Sequence, residues 1–299
     1  MKILLTGASG LLGGNCFARL ARNPSVQCLA TFHDASFTIP EKFTNGHDTF
    51  ALDLTDNTAV WNILSTLQPN IIIHTAAQTE TAFCEWNRNA AKSLNIDATK
   101  TLATLAEIFD ARFIFISTDL VFDGTRGNYS EEDAPNPLSY YAETKLEAEL
   151  LVKHLVGNYV ILRSPLLLGV SPRGTRSVNE RLKKELDAGK YVKLFDDEFR
   201  TPIFADVLAR VIEEVAVGAL SETTGLFHAG GSERLSRVAL GRKIAQRWQY
   251  NPALIEQVSS GDVAAVPQRP KDVSLNAKKL HSLLPFALPT VEESLNALL

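Results

Sequence analysis

An α/β fold, with a doubly wound parallel sheet and a smaller C-terminal α/β substrate-binding unit, is what this sequence predicts. Three observations carry the prediction. Short apolar runs alternate with longer amphipathic ones through the first half; a loop with three glycines follows the first apolar run; and the alternation loosens after about residue 165.

The runs KILLT, VQCLAT, IIIHTA, RFIFIS and YVILRS read as strands, and DTFALD as a weaker one. Between them LLGGNCFARLARN, DNTAVWNILSTL, AAKSLNIDATKTLATLAEIF and YYAETKLEAELLVKHL have helical periodicity. Apolar strands separated by helices make successive βαβ units, whose strands run parallel and are covered on both faces. We therefore place a dinucleotide-binding unit at residues 1–165 and a substrate-binding region at 166–299, with the chain of the two halves free to interleave. In the second region FADVLARVIEEVAVGAL and SRVALGRKIAQRW read as helices and YVKLF as a strand.

With 299 residues, 45% of them hydrophobic and 21% charged, the chain can bury a large core. A net charge of −4 without a long basic block argues against a nucleic-acid partner, and the densest basic patch, ERLKKELDAGK, reads as a solvated helix face. No run approaches the roughly 18 apolar residues that a membrane span needs. A signal peptide is not expected either, because the first apolar run passes straight into the glycine loop. Cys16, Cys28 and Cys84 lack CxxC spacing, so neither a disulfide framework nor a thiolate metal site is expected, and a reducing cytoplasm is the expected location. The six histidines show no metal spacing, and His74 reads as a core histidine.

TGASGLLGG, at residues 6–14, explains its own glycines. In a βαβ unit Gly7 makes the tight turn, Gly10 lets backbone N–H groups approach a pyrophosphate, and Gly13 permits close packing of helix on strand. The anion then sits at a helix N-terminus, where free N–H groups and the dipole favour it. This makes the sheet a Rossmann-type one and a dinucleotide its natural ligand. Asp53, after the third strand, is placed to accept from an adenine amino group, with Leu54 supplying a backbone contact; Asp56 is there to cap the helix that follows. Ala76 and Ala77, in HTAAQT, are small enough for a ribose and phosphate to lie against the backbone.

Tyr141 and Lys145 stand four apart in a helical pattern and so share a face. Reduction of a carbonyl needs a proton donor matched to neutral pH, and a tyrosine near pKa 10 is a poor match until an ammonium beside it stabilises the phenolate, by about 1 to 3 units. An accidental YxxxK is expected about 0.3 times in such a chain, so the weight comes from context. The pair follows FIFISTDLVF, where Ser117 and Thr118 close an apolar strand at the edge where open α/β sheets bind ligands.

Together the Gly7, Gly10, Gly13 loop, Asp53, the STD at 117–119 and the Tyr141–Lys145 pair resemble the extended short-chain dehydrogenase/reductase superfamily. STDLVFDG, YSEEDAPNPLSYYAETKLEAE, FDDEFRTPIFADVLA and RPKDVSLNAKKL resemble its dTDP-4-dehydrorhamnose reductase branch over nearly the whole chain. The resemblance implies that Tyr141 protonates the C4 carbonyl of a 4-keto-sugar nucleotide, that Lys145 holds the nicotinamide ribose and tunes Tyr141, and that Thr118 aligns the carbonyl. It implies that Gly10, Leu11, Leu12, Asp53, Leu54, Ala76, Ala77 and Gln78 line the cofactor. On the substrate side it points to Thr118, Asp119 and Leu166, with Arg200 and Arg269 on the diphosphate, since guanidinium forks bind phosphate bidentately.

Two positions depart from that branch. Leu166 stands where its bacterial members commonly carry Trp, and Asn15 where several have a Glu linked to metal-bridged dimers; a homodimer is left open and no metal is assigned. LRSPLLLG and PQRPKD equally resemble the regulatory subunit of methionine adenosyltransferase, which implies NADP binding without reduction. A sugar-nucleotide epimerase is a third alternative, whereas a dehydratase is disfavoured because Leu120 occupies the place of its Glu. NADP(H) is expected over NAD(H): LATFHD offers Thr31, Phe32 and His33 before Asp34, and His33 or Lys42 would meet a 2′-phosphate.

Overall fold

The computed structural model describes residues 1–263 and 267–298. Seven strands form one sheet: β1 (Lys2–Thr6), β2 (Gln27–Phe32), β3 (Thr49–Ala51), β4 (Ile71–His74), β5 (Arg112–Thr118), β6 (Tyr159–Ser164) and β7 (Gly225–His228). Their order is β7-β6-β5-β4-β1-β2-β3, and every neighbouring pair is parallel. The chain thus starts in the middle of the sheet and winds outward on both sides. The order reverses between β1 and β4, and the C-terminal strand ends at such a point are where open α/β sheets bind ligands.

The longer helices are α1 (Leu11–Leu20), α2 (Asn57–Leu67), α3 (Ala98–Ile108), α4 (Tyr140–Leu155), α5 (Val178–Asp187), α6 (Ala205–Val217), α7 (Arg237–Arg247) and α8 (Val291–Ala297). The alternation of side chains along the strands divides the core into two layers. Ile3, Leu5, Ile71, Ile73 and Ile114 pack with Leu12, Cys16 and Phe17 of α1 and Leu208, Val211 and Ile212 of α6. Leu4, Ile72, Phe113 and Phe115 point the other way, onto Val60 and Leu64 of α2, Leu102 of α3 and Val152 of α4. Each such side chain contributes about 1.5 to 3 kcal/mol of transfer free energy, which is why central strands this apolar are stable only when covered on both faces.

Residues beyond 165 supply two parts of this sandwich: β7 extends the sheet beside β6, and α6 packs on α1. The rest of the second half builds a separate lobe around Leu168, Leu182, Leu186, Phe204, Leu240, Ile244 and Leu295, from α5, α7 and α8. YVKLF forms the strand Val192–Phe195, which pairs with Ile255–Val258 outside the main sheet. Among the described residues no helix is long and apolar enough to cross a membrane.

Candidate active site

The glycine loop is built as tightly as its sequence suggests. Gly7 has φ +78°, and a Cβ there would meet the Ala76 nitrogen at 2.8 Å. On Gly13 a Cβ would lie 2.2 Å from the Gly7 carbonyl oxygen. Gly10 caps α1 in extended conformation without a side-chain hydrogen bond, and the first turn of α1 carries no acidic residue. The positive end of the helix and its free N–H groups are therefore left for an external anion. Ala76 lies against this turn, and the loop packs so closely because β1 and β4 are neighbours. These features fit a dinucleotide pyrophosphate. Leu11 is half-buried, whereas the Leu12 side chain belongs to the core.

Gln78 is held from below by a residue the sequence reading did not single out. Asn95 accepts from the Gln78 main-chain N–H at 2.8 Å and donates to the Gln78 carbonyl and to the Thr144 hydroxyl, both at 3.0 Å. It sits in one wide helical turn, Ser93–Asp97, that runs into α3, an insertion that turns its side chain toward α4. A β-strand or helix pattern carries no signal for such a turn.

Beyond β3, Asp56 caps α2 by accepting from Thr58 and Ala59, so Asp53 is not needed as the cap. Asp53 accepts from the Thr55 N–H and hydroxyl, which lower its pKa, and His33 Nδ1 stands 3.9 Å away. The Leu54 side chain is buried in the core, which leaves its main chain for a ligand. His74 is a core residue: its Nδ1 pairs with the Thr6 hydroxyl at 2.8 Å and its Nε2 with Thr99 at 3.0 Å, and burial holds its pKa down at about 3.

Ser139 caps α4 by accepting from the Ala142 N–H. Tyr141 and Lys145 consequently fall in its first two turns, both buried and facing the end of β5. The Thr118 hydroxyl stands beside the Tyr141 phenol, donates to Asp119 Oδ1 at 3.3 Å and accepts from the Leu120 N–H at 3.3 Å. Ser117 points elsewhere: its hydroxyl donates to Glu149 Oε1 at 2.5 Å, beneath the site. Of the two hydroxyls closing β5, Thr118 is the one that faces the phenol.

The electrostatics of the pair differ from the sequence expectation. Burial pushes the Tyr141 phenol well above its ordinary pKa, the neighbouring Thr118 hydroxyl opposes this, and the Asp119 charge adds to it. Burial also drives Lys145 down to about 7, against the opposing pull of Glu149, with its Nζ 4.0 Å from the centre of the Phe115 ring. At neutral pH the amine lends only part of a positive charge. Desolvation of both groups in a dry first turn outweighs their attraction, so within the chain itself the tyrosine is not acidified.

Asp119 is buried as well, and burial raises its pKa to about 6 while the Arg200 charge, with Nε 4.0 Å away, opposes. Arg200 is locked in place: it donates to the carbonyls of Phe199, Lys271 and Pro270 at 2.7, 3.1 and 3.1 Å. Arg269 is more exposed and reaches to 3.8 Å from Glu198 Oε1. The structure adds Arg237, the first residue of α7, whose pKa is lowered to about 10 by burial and by the charges of Arg200, Arg269 and Arg181, with Glu198 opposing. Three guanidinium groups, those of Arg200, Arg237 and Arg269, thus gather around the buried Glu198 carboxylate, whose Oε1 has no hydrogen-bond partner among the described residues. An arginine after a helix cap is unremarkable in sequence, so Arg237 gave no signal. Leu166 is half-buried and packs into the core of the second lobe.

Comparison with known proteins follows the same lines. The family profile described as RmlD substrate binding domain matches residues 1–299. Methionine adenosyltransferase 2 subunit beta of Bos taurus is 31% identical over 94% of this chain and 82% of its own length. The probable low-salt glycan biosynthesis reductase Agl14 of Haloferax volcanii is 30% identical over all of this chain and 97% of its own. Among solved structures, a dTDP-4-dehydrorhamnose reductase of Clostridium acetobutylicum superposes with a TM-score of 0.86 at 27% identity, covering 100% of this chain and 98% of that one. The chain therefore belongs to the RmlD substrate-binding-domain family, as an oxidoreductase-type extended short-chain dehydrogenase/reductase of the dTDP-4-dehydrorhamnose reductase-like branch.

Proposed function

We propose that this protein reduces the C4 keto group of a nucleotide-activated sugar with NADPH, in the manner of dTDP-4-dehydrorhamnose reductase. The observation that carries the reading is the placement of the Thr118 hydroxyl beside the Tyr141 phenol at the C-terminal end of β5, with Lys145 one turn further along the same helix face. A bound nicotinamide supplies the hydride. Residues 7–14 and Ala76 to Gln78 hold the dinucleotide, with Asp53 and the Leu54 main chain at its adenosine end. Tyr141 donates its proton to the carbonyl oxygen, Thr118 fixes the direction of that donation, and Lys145 positions the ribose. The alkoxide that develops on the carbonyl oxygen is a much stronger base than the Tyr141 phenolate, so the proton moves from the phenol to the carbonyl oxygen even though burial has made the phenol a weaker acid. Arg237, Arg200, Arg181 and Arg269 supply the positive field for a diphosphate.

A second reading, a cofactor-binding regulatory subunit, is favoured by the relatedness to methionine adenosyltransferase 2 subunit beta and by the raised phenol. Spectrophotometry at the NADPH absorbance decides between them. Steady NADPH consumption with dTDP-4-dehydrorhamnose, lowered at least about 100-fold by Tyr141→Phe with cofactor affinity unchanged, supports the reductase. Tight cofactor binding without turnover supports the subunit.

A further inference from the structure

The end of β2 is where a dinucleotide presents the 2′ position of its adenosine ribose. His33 and Lys42 are the cations that the sequence offers there, but His33 is largely exposed and faces Asp53, and Lys42 lies over Phe43. The structure brings a different one. Arg173, from the loop after residue 169 in the second half of the chain, places Nη2 2.8 Å from Asp34 Oδ2. Its guanidinium lies 3.9 Å over the Phe37 ring, which fixes the plane of the fork. Its Nε is buried and has no hydrogen-bond partner among the described residues.

The loop that carries Arg173 is anchored on the helix that follows the glycine turn. Asn15 of α1 donates to the Val170 carbonyl at 2.9 Å, and a Cβ on Gly14 would sit 2.4 Å from Pro172 Cγ. At the other end Ser171 is held by Glu180, its N–H and hydroxyl both at 2.7 Å. Arg173 is thereby held between the pyrophosphate turn and β2. Asp34 in turn accepts from the Ser36 hydroxyl and N–H as well as from Arg173, and these bonds hold its pKa at about 2. An ionised carboxylate in this place normally grips the ribose hydroxyls of NAD and repels a phosphate.

We propose that Arg173 is the residue that selects NADP(H) over NAD(H): it neutralises Asp34 and turns its remaining N–H donors to the 2′-phosphate. This rests on the reading that the chain binds a nicotinamide dinucleotide. A guanidinium presents five donors in one plane and Asp34 engages one edge, so the fork bridges carboxylate and phosphate.

Calorimetric titration of the whole protein with 2′,5′-ADP, 5′-AMP, NADPH and NADH tests it without any turnover. Arg173→Gln is expected to weaken 2′,5′-ADP and NADPH at least tenfold while 5′-AMP and NADH stay within about twofold. Arg173→Lys, which keeps the charge and loses the fork, falls between, and Asp34→Asn tightens 2′,5′-ADP several-fold. Equal losses for both classes of ligand, or no change in either variant, overturn the proposal and leave a dinucleotide-binding protein. Wild-type protein that binds neither NADPH nor NADH overturns the proposal and the reading beneath it together.

Discussion

Arg163 and Glu149 meet as a two-pronged ion pair, Nε to Oε1 at 3.0 Å and Nη2 to Oε2 at 2.8 Å, with side chains 3% and 0% exposed. The pair ties β6 to α4 one turn beyond Lys145, and Ser117 adds a third donor to the carboxylate. Helix α4 is thus fixed to the sheet by charge as well as by packing.

Removing one partner of such a pair leaves an uncompensated buried charge. Glu149→Gln is expected to lower unfolding stability by about 3 to 5 kcal/mol, read from urea denaturation. The double variant Glu149→Leu with Arg163→Met should recover most of that loss. A single-variant loss below about 1 kcal/mol contradicts the account.

His74 gives the fold an acid sensitivity of known sign. The folded chain keeps it neutral, with a pKa of about 3, whereas the unfolded chain takes up a proton below about 6.5. The unfolded state therefore binds more protons in that window, and stability present above pH 6.5 is lost as pH falls toward 3, by up to about 1.4 kcal/mol per pH unit. Urea titrations at pH 7, 6 and 5 should show a steeper decline for the wild type than for His74→Asn. Parallel declines would mean that the histidine is not held neutral.

Gly13→Ala puts a methyl carbon 2.2 Å from the Gly7 carbonyl oxygen, and backbone must move to make room. We expect loss of dinucleotide affinity by at least about 100-fold, together with a lower melting temperature. Gly218→Ala is the control: its Cβ meets mainly the Glu214 side chain and nearby helix backbone, far along the chain from the cradle, so dinucleotide affinity is expected to survive. Affinity retained in Gly13→Ala places the pyrophosphate elsewhere.

Arg237→Gln tests the arginine cluster. One charge-assisted hydrogen bond to a diphosphate is worth about 1.5 to 3 kcal/mol, so KM for the sugar nucleotide should rise roughly tenfold or more while cofactor affinity is unchanged. An unchanged KM assigns Arg237 to the structure of the second lobe alone.

The sheet and its cradle were legible because each rests on local rules: apolar strands, helical periodicity and a glycine turn survive in any context. That Tyr141 and Lys145 share a helix face was legible because their spacing is local, and that Thr118 ends a strand because the run before it is apolar. What the sequence could not show depends on long-range folding. Arg237 and Arg173 acquire meaning only when α7 and the loop after residue 169 are brought against residues far away in the chain. Asn95 is visible only through an inserted helical turn. The state of Tyr141 departs from the sequence expectation because residue types reveal which charges are near and not how dry their surroundings become, and here dryness prevails.

Strand β7 has a consequence for how the molecule is made. Because Gly225–His228 seals the β6 edge, a nascent chain leaving the ribosome displays an unpaired ribbon of backbone groups until more than two hundred residues have emerged. A fragment ending at residue 165 retains every glycine of the cradle yet leaves that ribbon open, and α1 without the cover of α6. Such a fragment should self-associate, and the growing polypeptide has good reason to be shielded by a chaperone.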